Sequence, residues 1–249
     1  MAWMVSASFM QTGAASTYPP RFLPADPTLE HYRALFTRLR LGRYFLNSTI
    51  IAVTVTAISL VVNSMAGYAF AKLRFRAREP LFKLLSAGLV VPVQVGMLPL
   101  FLIMKELGLI NTYWGVIVPT MASIFGIFLI RQYAVSIPDD LLDAARIDGA
   151  GELRIYRSVV LPNIVPILAT LAIWTFLTTW NDFMWPLIVL SDEANYTLPV
   201  ALANLLGERA LDTELMMAGS VLTVLPVLLV FLFLQRYYVQ GIMAGSIKG

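Results

Sequence analysis

The chain has 249 residues, of which 58% are hydrophobic and only 13% are charged, and its formal net charge is +3. Because so few charges cannot form the polar surface of a soluble domain of this length, the composition predicts a protein embedded in a lipid bilayer. Its basic residues are scattered among apolar runs rather than gathered in a dense stripe with aromatic residues, which argues against nucleic-acid binding.

The start of the chain is predicted to lie outside any complete span. Residues 1–10 are apolar but too short to cross a bilayer, and they lack the basic start of a signal peptide, so they are interpreted as the end of a longer helix. Residues 13–27 are rich in proline and small residues and are expected to be irregular. His31, the single histidine, is expected in a solvated loop.

A short helix is predicted over residues 28–41, because apolar residues recur there at helical spacing. These residues are Leu29, Tyr32, Phe36 and Leu39. Two interpretations stay open for this segment: an amphipathic helix on the outer face of the membrane, or an ordinary packed helix.

Five windows are long and apolar enough to cross a hydrocarbon core about 30 Å thick, which takes about 20 helical residues. They are residues 44–71, 84–104, 107–130, 158–191 and 215–235, and only the fourth contains a charge, that of Asp182. In hydrocarbon every backbone amide must be bonded within its own segment, so the windows are predicted to be helices. The predicted fold is an all-α polytopic transmembrane helical bundle with five full spans.

The distribution of Lys and Arg predicts how the bundle is oriented. Connections 72–83 and 131–157 are rich in basic residues, whereas Lys105 and Arg209 are the only cations of the two connections that alternate with them. The rule places 72–83, 131–157 and the tail from Arg236 in the cytoplasm. Four arginines just before the first span oppose this orientation: Arg33, Arg38, Arg40 and Arg43.

The connection between the third and fourth spans contains the longest charged cytoplasmic segment, 136–162. Ser136 and Asp139 at capping distance, with Pro138 at an early helical position, predict the start of a short helix. Gly149 predicts its end in the left-handed conformation. The predicted apolar face comprises Leu141, Leu142 and Ala145. A second short helix follows, so the segment is either a surface helix-turn-helix that docks in a groove of a soluble partner or a structural loop.

This segment resembles the EAA loop of binding-protein-dependent ABC importers, which reads Glu-Ala-Ala, three residues, Gly, nine residues, Ile, one residue, Leu-Pro. The matching positions are Asp143, Ala144, Ala145, Gly149, Val159, Leu161 and Pro162, with Asp in place of Glu and Val in place of Ile. The resemblance implies that 136–162 is the cytoplasmic loop that couples the chain to an ATPase.

Further stretches resemble the maltose-type permeases of carbohydrate uptake family 1. They are residues 18–24, 42–48, 66–73, 180–186 and 241–249. The resemblance covers nearly the whole chain except the family's first helix, which is expected to be truncated or cut by a misassigned start. It implies a single permease domain, 1–249, in the bacterial or archaeal cytoplasmic membrane that imports a sugar or related polyol.

The same resemblance implies the partners of the chain. These are a second permease subunit in a heterodimer, cytoplasmic ATP-binding subunits, an extracytoplasmic sugar-binding protein and membrane lipid, with no nucleic acid among them. ATP-driven closure of the ATP-binding subunits would push the docked loop and tilt the bundle between inward-open and outward-open states.

Polar residues within the spans are candidates for a sugar path. Trp180, Asn181 and Asp182 lie in the fourth span, where a charge is costly and is expected to face a polar cavity. Aromatic rings stack on sugars while Asn and Asp bond hydroxyls, so these residues and Asn63 are proposed as path residues. The alternatives are an interfacial Trp180 with a solvated Asp182, and an Asn63 that bonds a neighbouring helix.

No catalytic or cofactor chemistry is expected in this chain. It lacks the G-x-x-x-x-G-K-[ST] phosphate-binding motif, so ATP hydrolysis is assigned to a partner subunit. With no cysteine and one histidine, metal sites and a His-dependent triad are not expected either. Two alternatives to an ABC permease stay open. One is a self-contained secondary transporter or channel, which inverted repeats or several ionisable groups in the spans would favour. The other is a nonfunctional fragment.

Overall fold

The structure is a computed structural model that describes residues 1–19, 22–37, 39–208 and 212–246. Every regular element within these residues is helical, as the sequence predicts. Arg38 and Arg209, two of the cations that bear on the predicted membrane orientation, lie outside the described residues. So do residues 20–21 and 247–249, which belong to two of the stretches used for the resemblance.

Fourteen α-helices are described. The first seven are α1 (Ala2–Ala7), α2 (Glu30–Thr37), α3 (Leu41–Lys72), α4 (Arg78–Ala87), α5 (Met97–Glu106), α6 (Tyr113–Thr120) and α7 (Ile124–Ala134). The others are α8 (Asp139–Ile147), α9 (Glu152–Ile155), α10 (Leu161–Asn163), α11 (Val165–Trp180), α12 (Met184–Val189), α13 (Leu198–Glu208) and α14 (Thr213–Ser246). Short 3₁₀ segments lie at Gly88–Val90, Val93–Gly96 and Glu193–Asn195, and a π-helical turn lies at Tyr156–Val160.

Helix α3 forms the centre of the bundle. Its 32 residues extend over about 48 Å, more than the hydrocarbon core requires. It packs against α7 and α11, and α11 in turn packs against α14. One side of α3 therefore lies inside the protein along most of its length, and polar residues on that side are shielded from lipid.

Three of the five predicted spans correspond to helices that are long and apolar enough to cross a membrane. They are α3, the α6–α7 unit over Tyr113–Ala134, and Thr213–Phe233 of α14. The spans predicted for 84–104 and 158–191 each correspond to a bent pair of helices, which forms one span if its two halves are taken together. The helices there are bent by 100° between Arg78–Val90 and Val93–Glu106, and by 80° between Glu152–Asn163 and Val165–Trp180.

Prolines account for the position of both bends. Pro92 lies between the two halves of the first bent pair, and it has no backbone N–H to continue a helix. In the second pair, Pro162 and Pro166 flank Ile164, whose ψ of 7° departs from helical geometry. Hydrophobic length alone does not register such breaks, which is why the sequence predicted continuous spans.

The prediction of a solvated His31 was wrong. His31 lies in α2 with its side chain buried, and its Nε2 lies 2.8 Å from the Met10 carbonyl oxygen, which accepts a hydrogen bond from it. The predicted apolar face of α2 is shifted as well, because Leu35 is buried whereas Leu29 and Phe36 are exposed. Contacts of α2 with α14 and α3 explain the shift, since they bury a different stripe of the helix.

Candidate coupling loop and transport path

The segment between α7 and α11 is a compact series of short helices. Helix α8 begins at Asp139, directly after Pro138, and its first turn is acidic, which complements the positive helix end. The predicted cap by Ser136 was wrong, because its hydroxyl instead donates to the Tyr133 carbonyl oxygen at 2.7 Å. Pro138 likewise stands just before the helix rather than within it.

The end of α8 agrees with the prediction made from Gly149. This residue has a φ of +79°, in the left-handed region that favours glycine. Its N–H donates to the Arg146 carbonyl oxygen, and the Ala150 N–H donates to that of Ala145, each at 3.0 Å, so the last carbonyls of the helix are satisfied. A Cβ on Gly149 would meet no atom within 4 Å, so conformation rather than space requires glycine here.

The two leucines of α8 point in different directions, contrary to the single apolar face predicted for this helix. Leu142 is buried in the bundle with Ile155 and Tyr156, and Ala145 packs partly against the same cluster. Leu141 is exposed instead. Together with Ile147, which is 86% exposed, and Leu153, it leaves apolar side chains on the free surface of the loop.

Polar contacts fasten the loop to the last turns of α3. The ammonium of Lys72 donates to the Ile137 carbonyl oxygen at 2.6 Å and to a carboxylate oxygen of Asp139 at 2.7 Å. The hydroxyl of Tyr68 donates to Glu152 at 2.7 Å. Because of its hydrogen bond and charge, Lys72 lowers the pKa of Asp139 below its ordinary value.

A second set of ion pairs closes the loop on itself. The Arg146 guanidinium donates to Asp143 at 2.7 Å and to Glu152 at 2.9 Å, and both bonds raise its pKa above the ordinary value. Arg146 thereby joins α8 to α9 across the turn at Gly149. Since Glu152 also accepts from Tyr68, a continuous chain of bonds links α8 to α3.

The motif residues fall at two ends of the loop. Asp143, Ala144 and Gly149 are exposed and Ala145 is half-buried, all on α8 or the turn after it. Leu161, half-buried, and Pro162, exposed, lie on α10 at the base of α11. The motif residues thus lie on and just after α8, whose outer face is exposed, and at the junction of the loop with α11.

Sequence reasoning missed the residues that fasten the loop: Tyr68, Lys72, Arg146 and Glu152. One signal was present, because Tyr68 and Lys72 are four residues apart and therefore share a face of α3. The partner residues across the turn carry no comparable pattern, since their pairing depends on how the turn at Gly149 folds.

The four path candidates do not form one polar surface. Trp180 is 1% exposed, and its indole N–H donates to the Thr223 carbonyl oxygen at 3.0 Å. Asn63 is 0% exposed, donates to Ser59 at 2.6 Å and accepts from the Ser123 N–H at 3.1 Å. Neither side chain reaches a surface of the chain, and Asn63 satisfies the backbone where α6 gives way to α7.

The other two candidates lie where α11 ends. Asn181 is exposed, and its amide donates to the Leu177 carbonyl oxygen at 2.8 Å. Asp182 is partly exposed, and one of its carboxylate oxygens lies 3.4 Å from the Trp185 N–H, at the start of α12. Of the four candidates, these two have side chains exposed, fully or in part, at the surface of the described chain.

Comparison with known proteins places the chain in a family. The family described as binding-protein-dependent transport system inner membrane component matches residues 63–243. The chain belongs to this family. It is a multi-pass inner-membrane protein and the permease subunit of an ABC-type importer, a class of system that works with a binding protein and ATP-binding partners.

Individual relatives are similar in sequence to this chain over most of its length. It is 39% identical to an arabinooligosaccharides transport system permease protein of Halalkalibacterium halodurans, with 98% of this chain and 86% of that protein aligned. It is 36% identical to a lactose transport system permease protein of Rhizobium radiobacter, over 88% of this chain and 80% of that protein. A bacterial ABC transporter involved in the import of the acidic polysaccharide alginate has a similar structure, with a TM-score of 0.84, 27% identity, and coverage of 95% and 89%.

Proposed function

We propose that this permease carries a sugar or related polyol across the cytoplasmic membrane. The support is that the arabinooligosaccharide, lactose and alginate systems it resembles all handle saccharides. We further propose that it pairs with a second, homologous permease subunit, and that the two enclose the path between them. An extracytoplasmic sugar-binding protein would deliver the cargo to the outer side.

Energy is proposed to enter through loop 136–162, and one observation carries this proposal. The loop exposes apolar side chains, notably Ile147, while Lys72 and the Arg146 ion pairs fasten it to α3. A surface that is apolar on its free side and hydrogen-bonded to α3 on the other suits an element that docks on a partner and transmits its movement. That partner is proposed to be the ATP-binding subunit.

Hydrolysis of ATP is assigned to that partner, so the chain itself is proposed to have no catalytic activity. In this proposal the chain forms half of the transmembrane bundle, the second permease subunit forms the other half, and both move during transport. Displacement of α8 would act on α3 through the bonds of Lys72 and Glu152, and on α11 through α10. These are the helices that form the interior of the subunit, so their movement would change access to the path.

For the path itself, we propose Asn181 and Asp182 as the residues of this subunit that contact the sugar hydroxyls. Their support is exposure at the junction of α11 and α12 together with hydrogen-bonding capacity. Trp180 and Asn63 would act on the path indirectly, by fixing α11 against α14 and α3 against the α6–α7 junction.

Co-purification of the tagged chain with the ATP-binding subunit and the sister permease tests the docking proposal. Gly149→Asp, Ala145→Asp and Ile147→Asp are each expected to release the ATP-binding subunit while leaving membrane insertion and the sister permease in place. Leu29→Asp is the matched control, because Leu29 is also exposed, at 65%, but lies on the other side of the membrane in the proposed orientation. Normal binding by all the loop variants would contradict loop 136–162 as the docking element.

A further inference from the structure

The connection between α3 and α4 carries a surplus of positive charge. Residues 72–83 contain five cations and a single acid, Glu79. That acid is already engaged, because Arg78 lies 3.2 Å and Arg131 lies 3.4 Å from its carboxylate. Lys72 is held by the coupling loop. Within the described part of the chain, three exposed cations of the connection form no ion pair at contact distance: Arg74, whose charge acts on Asp139 from farther away, Arg76 and Lys83.

Exposed apolar side chains accompany these cations. Phe82 faces the bundle, where its ring stacks on Phe128 at 6.2 Å and lies 4.0 Å from the Arg131 guanidinium carbon. The apolar side chains that remain exposed are Phe75, Leu81 and Leu84. Helix α4 therefore packs one face on the protein and turns a second face, which carries both cations and leucines, away from it.

Helix α4 runs alongside α7, because Glu79 lies beside Arg131, Phe82 stacks on Phe128, and a Cβ on Gly88 would meet Ile124. Residues 78–90 make an angle of 100° with the helix that follows, and their length of about 20 Å is too short to cross the hydrocarbon core alone. Basic and apolar residues are mixed at the start of this helix and in the turn before it, which is the composition of a segment at the membrane interface. Its apolar side chains then reach below the headgroups while its cations stay among them.

The turn before the helix provides space beside the cations. Residues 74–80 wall an open cleft of about 720 Å³, and Arg74, Arg76 and Arg78 are among them. Arg78 is paired with Glu79, and Arg74 and Arg76 supply the other positive charges beside this cleft. A ligand that neutralises them must be anionic and must leave Phe75 in an apolar environment.

We propose that Arg74, Arg76 and Lys83 bind the phosphates of anionic phospholipids in the cytoplasmic leaflet, with Phe75, Leu81 and Leu84 inserted among the upper acyl-chain carbons. This inference rests on the proposed function and on the orientation predicted from the distribution of Lys and Arg, which places residues 72–83 in the cytoplasm. A layer of anionic headgroups above hydrocarbon matches the cations and the apolar side chains together. Bound lipid would hold α4 at the interface beside the end of α3, to which the coupling loop is also bonded.

The experiment uses the complete transporter assembly in nanodiscs of phosphatidylcholine with a minor fraction of phosphatidylglycerol. The enrichment of phosphatidylglycerol around the protein is measured by native mass spectrometry at low and high salt. For wild type we expect enrichment that salt weakens. In the triple variant Arg74→Gln, Arg76→Gln, Lys83→Gln we expect a loss of about fivefold in relative affinity for each cation removed.

Two control variants test whether the enrichment depends on the position of these cations and on their charge. Arg33→Gln, Arg43→Gln, Lys105→Gln removes the same charge from exposed positions on the opposite side in the proposed orientation, and it should keep the enrichment. Arg74→Lys with Arg76→Lys preserves the charge and should keep it as well. Unchanged enrichment in the glutamine triple variant, or an equal loss in the opposite-side control, would overturn the proposal.

Retention of the ATP-binding subunit is recorded in the same preparations and separates this proposal from the docking proposal. If the glutamine triple variant keeps its phosphatidylglycerol but releases the ATP-binding subunit, the occupant of the patch is a protein and the lipid proposal fails. If enrichment falls while the ATP-binding subunit stays bound, the lipid contact stands independently of loop 136–162.

Discussion

The loop beside the last turn of α3 and the start of α14, which packs near the first residues of α3, are held by different kinds of polar contact. Near Lys72, the coupling loop is held by ion pairs at the surface, such as those of Arg146 with Asp143 and Glu152. The start of α14 is instead held by a buried carboxylate, that of Glu214, which accepts from the Ala15 N–H at 2.7 Å.

This difference separates a part that exchanges partners from a part that stays fixed. Exposed ion pairs contribute little to stability and are weakened by salt, so they can be broken and remade at low cost. A buried polar group that loses its partner costs its full desolvation. We therefore expect loop 136–162 to rearrange readily and the Glu214 contact to act as a fixed anchor.

The largest effect on stability is expected at the anchor. Glu214→Leu would leave the buried Ala15 N–H without an acceptor, and it should lower the free energy of unfolding by about 1–3 kcal/mol. Glu214→Gln keeps an oxygen at this position and should lose less. Denaturant unfolding of the purified chain in detergent measures both. Equal stability of wild type and the leucine variant would mean that the contact is not an anchor.

A smaller stability effect, with a clear loss of coupling, is expected at Gly149. A side chain at a φ of +79° costs about 1–2 kcal/mol, and a β-branched one costs the most. Gly149→Val should therefore shift the end of α8 and weaken co-purification of the ATP-binding subunit. Gly149→Asn is the control, since asparagine tolerates this conformation. If both variants bind alike, the turn geometry does not determine docking.

Lys72→Met should alter coupling while leaving stability nearly unchanged. The substitution removes the bonds to Ile137 and Asp139 but replaces a side chain of similar length. We expect ATP hydrolysis by the reconstituted assembly to respond less to loaded binding protein, because α8 is no longer tied to α3. A fully responsive variant, or a strongly destabilised one, would contradict this division of roles.

The Lys72 contact also has an expected pH dependence. The pKa of Asp139 is lowered in the folded state. The contribution of the Lys72–Asp139 contact to stability is therefore complete above the ordinary carboxyl pKa of about 3.9, and it is lost only as the pH falls through the lowered value. The difference in the free energy of unfolding between wild type and Lys72→Met should therefore be constant from neutral pH down to mildly acidic pH. A difference that changes near neutral pH would point to another titrating group.

The smallest effect is expected at Ser136. Its hydroxyl bonds the Tyr133 carbonyl oxygen at an exposed position rather than capping α8. Ser136→Ala should change the free energy of unfolding by no more than about 0.5 kcal/mol and should leave docking intact. A loss near 1 kcal/mol, which is typical of an N-cap, would restore the capping interpretation.

The features predicted correctly from the sequence are those with a local cause. Uncharged runs determine helices such as α3, and the left-handed turn at Gly149 follows from the freedom of glycine at positive φ. The family was also predicted from the spacing that runs from Asp143 to Pro162, and the match of its model over residues 63–243 confirms it.

The features that were predicted wrongly depend on packing between distant segments. Leu141 and Leu142 are adjacent and chemically identical, and the packing of α8 against α3, α7 and α9 decides which one is buried. His31 is buried because residues 1–10 fold back beside α2, which composition does not indicate. The bends near Pro92 and Ile164 leave hydropathy unchanged, so a scan for apolar length cannot detect them.

Site-specific cross-linking from position 147 tests the docking of the loop most directly. The chain has no cysteine, so Ile147→Cys provides a single exposed thiol on the loop and Leu29→Cys provides one on the opposite side. In membrane vesicles that contain the whole assembly, a short thiol-reactive photo-cross-linker on position 147 should capture the ATP-binding subunit, and one on position 29 should not. Capture from neither position, or equally from both, would contradict the assignment of 136–162 as the coupling loop.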